Sequence, residues 1–444
     1  LTLQAGRSVL VNANITTDNG NLTLTANDLT SNGVVNAQRD DGLAVITLGS
    51  GTTINTGTGT FTSTIEAGTG KTYSGSGDIT LSTITANSLV AANRGPTSGS
   101  DILDTGILTI AGTSSFTTTR SNADITLDSA NAFTGAVTLN TTGSQGDATI
   151  DNVTTALDIA ASSVDGDLTL TSGTGITDSG TVTVGENLSA TTDASSGAIL
   201  LDTLAVSGTI ALNTDGSGAA TVVNASGLKL AASTVGGALS ATATAGNITD
   251  SGALIIAGTS TFVTGADGSD IELDHASNAF SNSVTFKAGS LGNRTFDDIT
   301  FVDSGAVTFQ TSVDTDADGE LLIDGSTDGA VGGDLSVRSI DGNIAQNIAL
   351  TVTGTTTLQV DPSKNITLDN VFNNFQGAVG ITRGNNVALV DAGAIVLGAS
   401  IVSGTYGVTA TSGGDITDTG VLAITGASTF TVAGGQSILL DESS

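Results

Sequence analysis

A short phrase of alternating apolar residues closed by aspartate returns along this chain at a nearly constant interval, which restricts the fold to a stack of repeats. It reads ILD at Ile102 to Asp104, ITLD ending at Asp128, ATID at Asp151, ITD at Asp178 and ILLD at Asp202. It continues through Asp250, Asp274, Asp303, Asp324, Asp369, Asp391, Asp418 and Asp441, with Asn224 and Gln346 in the two slots where aspartate is due. The step is roughly 24 residues, within the range of solenoid repeats.

A longer period is superimposed on this one. DILDTGILTIAGTSSF starts at Asp101, NITDSGALIIAGTSTF at Asn247 and DITDTGVLAITGASTF at Asp415, and looser copies start at Gly175 and Asn343. The following step has its own signature: DITLDSANAFTGAV from Asp124, DIELDHASNAFSNSV from Asp270 and NITLDNVFNNFQGAV from Asn365. The chain therefore divides into less regular coils over 1–100 and successive units 101–174, 175–246, 247–342, 343–414 and 415–444. The units 101–174, 175–246 and 343–414 hold three steps each, 247–342 holds four, and 415–444 holds little more than one.

Alternation such as Leu22-Thr23-Leu24-Thr25 marks half-buried strands, and Gly, Asn and Asp clusters such as Asp18 to Gly20 mark turns. With 59 glycines, two prolines and no Cys, Met or Trp, the composition is that of a Thr- and Gly-rich β protein, and no window carries a helical period with caps. The mean hydropathy of +0.23 argues against disorder. The expected architecture is all-β: a parallel β-helix, or β-solenoid, of about 18 coils of roughly 24 residues, with each coil hydrogen-bonded to the next at about 4.8 Å. Phe116, Phe262 and Phe430 at one register, and Phe133, Phe280 and Phe375 at another, are expected to fill interior corners.

The formal net charge is −32. So acidic a surface repels nucleic acid and anionic headgroups and attracts cations. No apolar run is long enough to insert in a membrane as a helix. The chain opens on Leu1, as a processed product or excised segment would.

Aspartates stacked on successive coils repel one another by roughly 0.8 kcal/mol per neighbouring pair at about 5 Å in water. Two offsets are open: each carboxylate accepts backbone N–H groups two or so residues ahead in an Asx turn, or neighbours share a divalent cation, Ca²⁺ being the expected ion. The sharpest local signal is DTDADGELLID, where Asp314, Asp316 and Asp318 followed by Gly319 reproduce the opening of a calcium loop. Asp324 stands one residue before the twelfth position, which Gly325 occupies, and an acidic surface turn is the competing account. The single histidine, His275, cannot support a triad or a His-based metal site and is expected in an exposed turn.

The runs NITDSGALIIAGTSTF, DITLDSANAFTGAVTL and GGALSATATAGNITDSG resemble the repeat region of very large bacterial exoproteins of the filamentous haemagglutinin type. The resemblance covers about 100–444 well. It implies a right-handed parallel β-helix serving as the shaft of a secreted or cell-surface adhesin, and it transfers no binding residue to any position. Members exported by two-partner secretion carry Asn-Pro-Asn motifs, and neither Pro96 nor Pro362 stands in one.

The expected function is a non-catalytic structural or adhesive shaft, extracellular or at the bacterial surface, mediating attachment or matrix formation. Its expected partners are host or neighbouring cell-surface glycans or proteins, or copies of itself. The alternative is a self-assembling head-to-tail filament subunit. A carbohydrate-active β-helix enzyme ranks below both, because Arg94, Arg120, Lys287, Arg294, Arg338 and Arg383 are dispersed and do not cluster with carboxylates.

Overall fold

The computed structural model describes residues 1–68, 76–95, 99–266, 268–288, 298–309, 320–324 and 330–442. Contacts divide the chain into two compact units, Leu1–Val222 and Val223–Ser444. Each unit is a parallel β-solenoid, and together they make about 18 turns of about 22 residues. The described helical structure is confined to two 3₁₀ turns, Thr30–Asn32 and Asn36–Gln38.

In the first unit one sheet stacks Thr2–Gln4, Leu22–Ala26, Thr60–Ile65, Ser88–Asn93, Ser114–Ser121 and Val137–Thr142 in that order, every pair parallel. A second face runs Val9–Val11, Ala44–Leu48, Ser76–Leu81, Ile102–Asp104, Ile125–Phe133, Ala148–Asn152, Leu168–Ser172, Leu188–Thr192 and Thr209–Asn213. The strands of these two sets alternate along the chain as far as Ala148–Asn152. Each finds its hydrogen-bond partner a full turn away.

That arrangement stacks like on like. Ile79, Ile102, Ile125, Ala148, Leu168, Leu188 and Ile210 are register partners in successive turns, and all are essentially inaccessible. The alternation of buried and half-exposed residues along Leu168–Ser172 shows why a period of two suffices: one face of each short strand meets the interior and the other meets water. In the second unit Ile248, Ile271, Ile299 and Leu335 form the same kind of column. The steps from Ile271 to Ile299 and from Ile299 to Leu335 are the long ones. They lift the average interval in the sequence above the turn length of the regular stack.

Phe116, Phe133, Phe262, Phe280 and Phe375 occupy the interior as expected, Phe430 is only half-buried, and the two registers meet. Phe116 and Phe133 lie 5.9 Å apart edge to face. In the second unit Phe262 touches Phe280 at 6.1 Å and Phe286 at 5.8 Å, and both of these touch Phe301 at 5.4 and 5.6 Å. Tyr406 is wholly buried, and burial pushes its phenol up to about 12. Between turns the backbones approach so closely that some corners exclude any side chain: a Cβ on Gly414 would stand 1.9 Å from the Ala394 nitrogen.

Phe262→Ala removes one ring of the four-phenylalanine cluster, in which each ring touches two others. It is expected to lower the stability of the second unit by about 3–5 kcal/mol in urea unfolding, the cost of a large core cavity. A loss below 1 kcal/mol would mean that the cluster is not packed as described.

Candidate functional site

The polar side chains with a repeated, specific arrangement lie at the corners, where the chain turns from one face to the next and backbone pairing lapses. The first arrangement is a ladder just ahead of the buried isoleucine column. Asp78 Oδ1 accepts the backbone N–H of Asp101 at 3.2 Å, Asp101 that of Asp124 at 2.9 Å, and Asp124 that of Asp147 at 3.0 Å. Asp147 then accepts from Asp167 at 2.8 Å, Asp167 from Asn187 at 2.9 Å, and Asn187 from Thr209 at 2.9 Å. The carbonyls of the same residues accept in the opposite direction, as from Asp101 O to Ile79 N and from Asp124 O to Ile102 N. Each rung is thus tied to the turn before and the turn after.

Shorter ladders recur in the second unit. One runs from Asn247 through Asp270, Asp298 and Asp334 to Thr355, and another from Asn343 through Asn365 and Asn386 to Thr405. Aspartate and asparagine interchange here because the rung needs only a short side chain ending in an acceptor oxygen. Where aspartates are consecutive the cost is visible. Burial first, and then the neighbouring carboxylates of Asp101 and Asp147, hold the Asp124 carboxyl above its ordinary value, against the pull of the Asp147 N–H.

The second arrangement is a buried corner that occurs three times among the described residues, each time across three turns. Asn131 donates to Asp104 Oδ2 at 2.7 Å and accepts Leu108 N–H at 2.8 Å. Asn278 donates to Asp250 Oδ2 at 2.6 Å and accepts Leu254 N–H at 2.9 Å. Asn373 donates to Gln346 Oε1 at 2.9 Å and accepts Leu350 N–H at 2.9 Å. One turn further on, Asn152, Asp303 and Asp391 accept the N–H of Phe133, Phe280 and Phe375 at 2.8, 3.0 and 2.7 Å. Burial raises the carboxyls of Asp104, Asp250, Asp303 and Asp391 above their ordinary value, against the hydrogen bonds each accepts.

Of the recurring aspartates of the sequence phrase, Asp104, Asp178, Asp250, Asp303, Asp391 and Asp418 accept bonds from a neighbouring turn, whereas a buried oxygen of Asp151 has no hydrogen-bond partner. Asp178 takes the N–H groups of Asp202 and Thr203, and Asp418 takes that of Asp441. Asp391, which also accepts Gly393 N–H at 2.6 Å, makes the expected Asx turn as well. His275 is half-buried rather than exposed. Its backbone donates to Asp250 at 3.4 Å, and its Nδ1 accepts Ser277 N–H at 3.2 Å.

The first unit also has an open groove of about 630 Å³, lined by Arg7, Leu10, Val35, Gln38, Arg39 and Val45 among others. One wall is an excursion between the strands Leu22–Ala26 and Ala44–Leu48. Arg39, only 4% exposed, pins it by donating to the Gly6 and Asp28 carbonyls, to Asn27 Oδ1 at 3.0 Å and to Asn36 Oδ1 at 3.0 Å. That guanidinium is committed to structure. No sequence pattern marked Arg39: two of these acceptors are backbone carbonyls, and the other two are asparagine side chains within the same irregular stretch.

Of the residues expected to bind calcium, Asp314, Asp316 and Asp318 lie outside the described residues. Asp324 ends the strand Glu320–Asp324, and its side chain is likewise outside them. Among the described residues no group of three or more His, Cys, Asp or Glu is placed to hold a metal.

Repetition with interchangeable rungs is the mark of a repeat family, and a family model for "Repeats of unknown function (DUF5649)" matches 67–140, 145–213, 217–287, 297–382 and 384–444. The chain belongs to this family. The second to fifth DUF5649 segments each begin within a few residues of the start of a phrase-bearing turn, and the corner pair Asp104 and Asn131 falls within the first segment. Neither the curated proteins nor the solved structures contain a match to the chain.

The ladder makes a clear prediction at Asp124. Asp124→Ala orphans the Asp147 N–H and is expected to cost about 1–3 kcal/mol in urea unfolding. Asp124→Asn keeps an acceptor, removes a like-charge neighbour and is expected to be close to neutral. If the asparagine variant were the weaker of the two, the rung would be held by charge and not by hydrogen bonding.

Proposed function

We propose that this chain is a non-catalytic structural module, the shaft portion of a secreted or cell-surface fibrous protein that mediates attachment. The observation that carries this proposal is the redundancy of the polar groups: the ladders and corners recur turn after turn, and each spends its hydrogen bonds on the neighbouring turn. An enzyme concentrates its chemistry at one place. Here the specific polar geometry is distributed, as expected where length and regularity are the selected properties.

The acidic surface supports an extracellular setting, since it keeps a large repetitive β protein soluble and discourages edge association. The likeness of its repeat phrases to those of filamentous haemagglutinin-type exoproteins supports the same setting. On this account the attachment partners are glycans or proteins of host or neighbouring cells, contacted by the faces of the turns.

The test is to display the chain on a bacterial surface and delete the segments 145–213, 217–287, 297–382 and 384–444 one at a time. Each deletion should leave a folded β protein and reduce cell attachment by a similar, graded amount. Loss of all attachment with one segment, and none with the others, would replace the shaft by a single localised site.

A further inference from the structure

The three buried corners are built to one plan with one chemical difference between them. At the first position stand Asp104, Asp250 and Gln346, and one turn after the asparagine stand Asn152, Asp303 and Asp391. At both positions carboxyl and amide interchange while the surrounding bonds stay in place. Each copy thus shows what another would be with its charge removed.

The Gln346 copy shows what a neutral group gains there. Its Oε1 accepts from Asn373 Nδ2 at 2.9 Å and from Asn370 N at 3.3 Å, matching the bonds Asp104 Oδ2 and Oδ1 accept from Asn131 and from Ser129 N at 2.7 and 3.3 Å. Its Nε2 also donates, to Asn373 Oδ1 at 2.8 Å and to the Ile348 carbonyl at 2.5 Å. An ionised carboxylate has nothing to donate. Asn152 repeats the contrast, donating to the Thr155 carbonyl at 2.8 Å besides accepting the Phe133 N–H.

We propose that the corners at Asp104, Asp250, Asp303 and Asp391 form an acid-tightened clasp: as pH falls each carboxyl takes a proton from solvent, and its new O–H donates where the amide of Gln346 or Asn152 donates in the sister copies. No covalent bond changes. The module is then most strongly clasped in acid and loosest in neutral or alkaline medium, the reverse of a fold held by exposed salt bridges.

The groups facing each carboxyl support this direction. Asp104 faces the Asp128 carboxylate and the neutral Asn131 and Ser129. Asp250 faces Asp274, Asn278 and the backbone N–H of His275. Asp303 faces the backbones of Phe280, Ser304 and Gly305, and Asp391 those of Phe375 and Gly393. No cation stands among these groups except through His275. A charged imidazole there would favour the carboxylate, so the Asp104 corner, which has Ser129 in the neighbouring place, is the cleaner case.

The sign follows from linkage. Burial raises all four carboxyls above the ordinary value of 3.8. A raised group contributes stability that is complete below 3.8 and is lost as pH rises through the folded-state value, so stability climbs as pH falls toward that range.

Thermal unfolding of the whole chain from pH 7 to pH 4, in about 1 M salt so that the Debye length shrinks to about 3 Å, separates this effect from relief of the overall charge. The melting temperature should rise as pH falls. Asp104→Asn and Asp250→Asn should each melt no lower than the parent at pH 7 and flatten the rise, whereas Gln346→Glu should melt lower at pH 7 and steepen it. Asparagine variants that keep the full pH dependence, or that fail to fold, would overturn the clasp, because the proposal requires the neutral side chain to be accepted.

Discussion

A parallel strand pair satisfies the backbone only while both strands run straight, and a solenoid must turn several times in every coil. At each corner the N–H and C=O groups of one turn fall out of step with those of the next, and a buried orphan costs as much as a lost hydrogen bond. Side chains of aspartate and asparagine fill that gap here. Their reach, one methylene and an acceptor oxygen, spans the spacing between turns. The ladder from Asp78 to Asn187 and the corners at Asn131, Asn278 and Asn373 all follow from that match.

From this constraint the rest of the molecule follows. Once corners are fixed at equal heights, strands of successive turns share a register, and the interior becomes columns of identical positions. The column from Ile79 to Ile210 is one result, and the phenylalanine cluster around Phe262 is another. Two ion pairs among the described residues, Arg94–Glu66 and Lys364–Asp341, are partly solvated contacts of the kind worth under about 1 kcal/mol.

The fold was legible because period and alternation are both visible in one dimension. Ile102, Ile125 and Phe133 identify themselves as interior by their neighbours alone. The role of the aspartates was only half legible. An Asx turn and a bond to the next turn demand the same short acceptor, and the partner of Asp104 lies at Asn131, far along the sequence but adjacent in space. The recurring phrase drew attention to the aspartate that follows the strand. The equally regular one that precedes it, at Asp101, Asp124 and Asp147, is visible as a repeated position, but nothing in one dimension shows that its carboxylate reaches the next turn. The excursion held by Arg39 was visible only as loss of rhythm in the first hundred residues, since backbone acceptors leave no trace in sequence. The calcium-loop pattern at Asp314 to Asp318 remains a statement about sequence, outside the described residues.

The account rests on the claim that carboxylate and amide oxygens of one turn hold the backbone of the next. Residue-resolved hydrogen exchange at the amides of Asp101, Asp124, Asp147, Asp167 and Asn187 tests it most directly, because each of these N–H groups has a side-chain acceptor in the preceding turn. Protection equal to that of the flanking strand amides at Ile102, Ile125 and Leu168 is the expected result. Exchange at the rate of an open surface turn would contradict it, and would leave the stacking to the apolar columns alone.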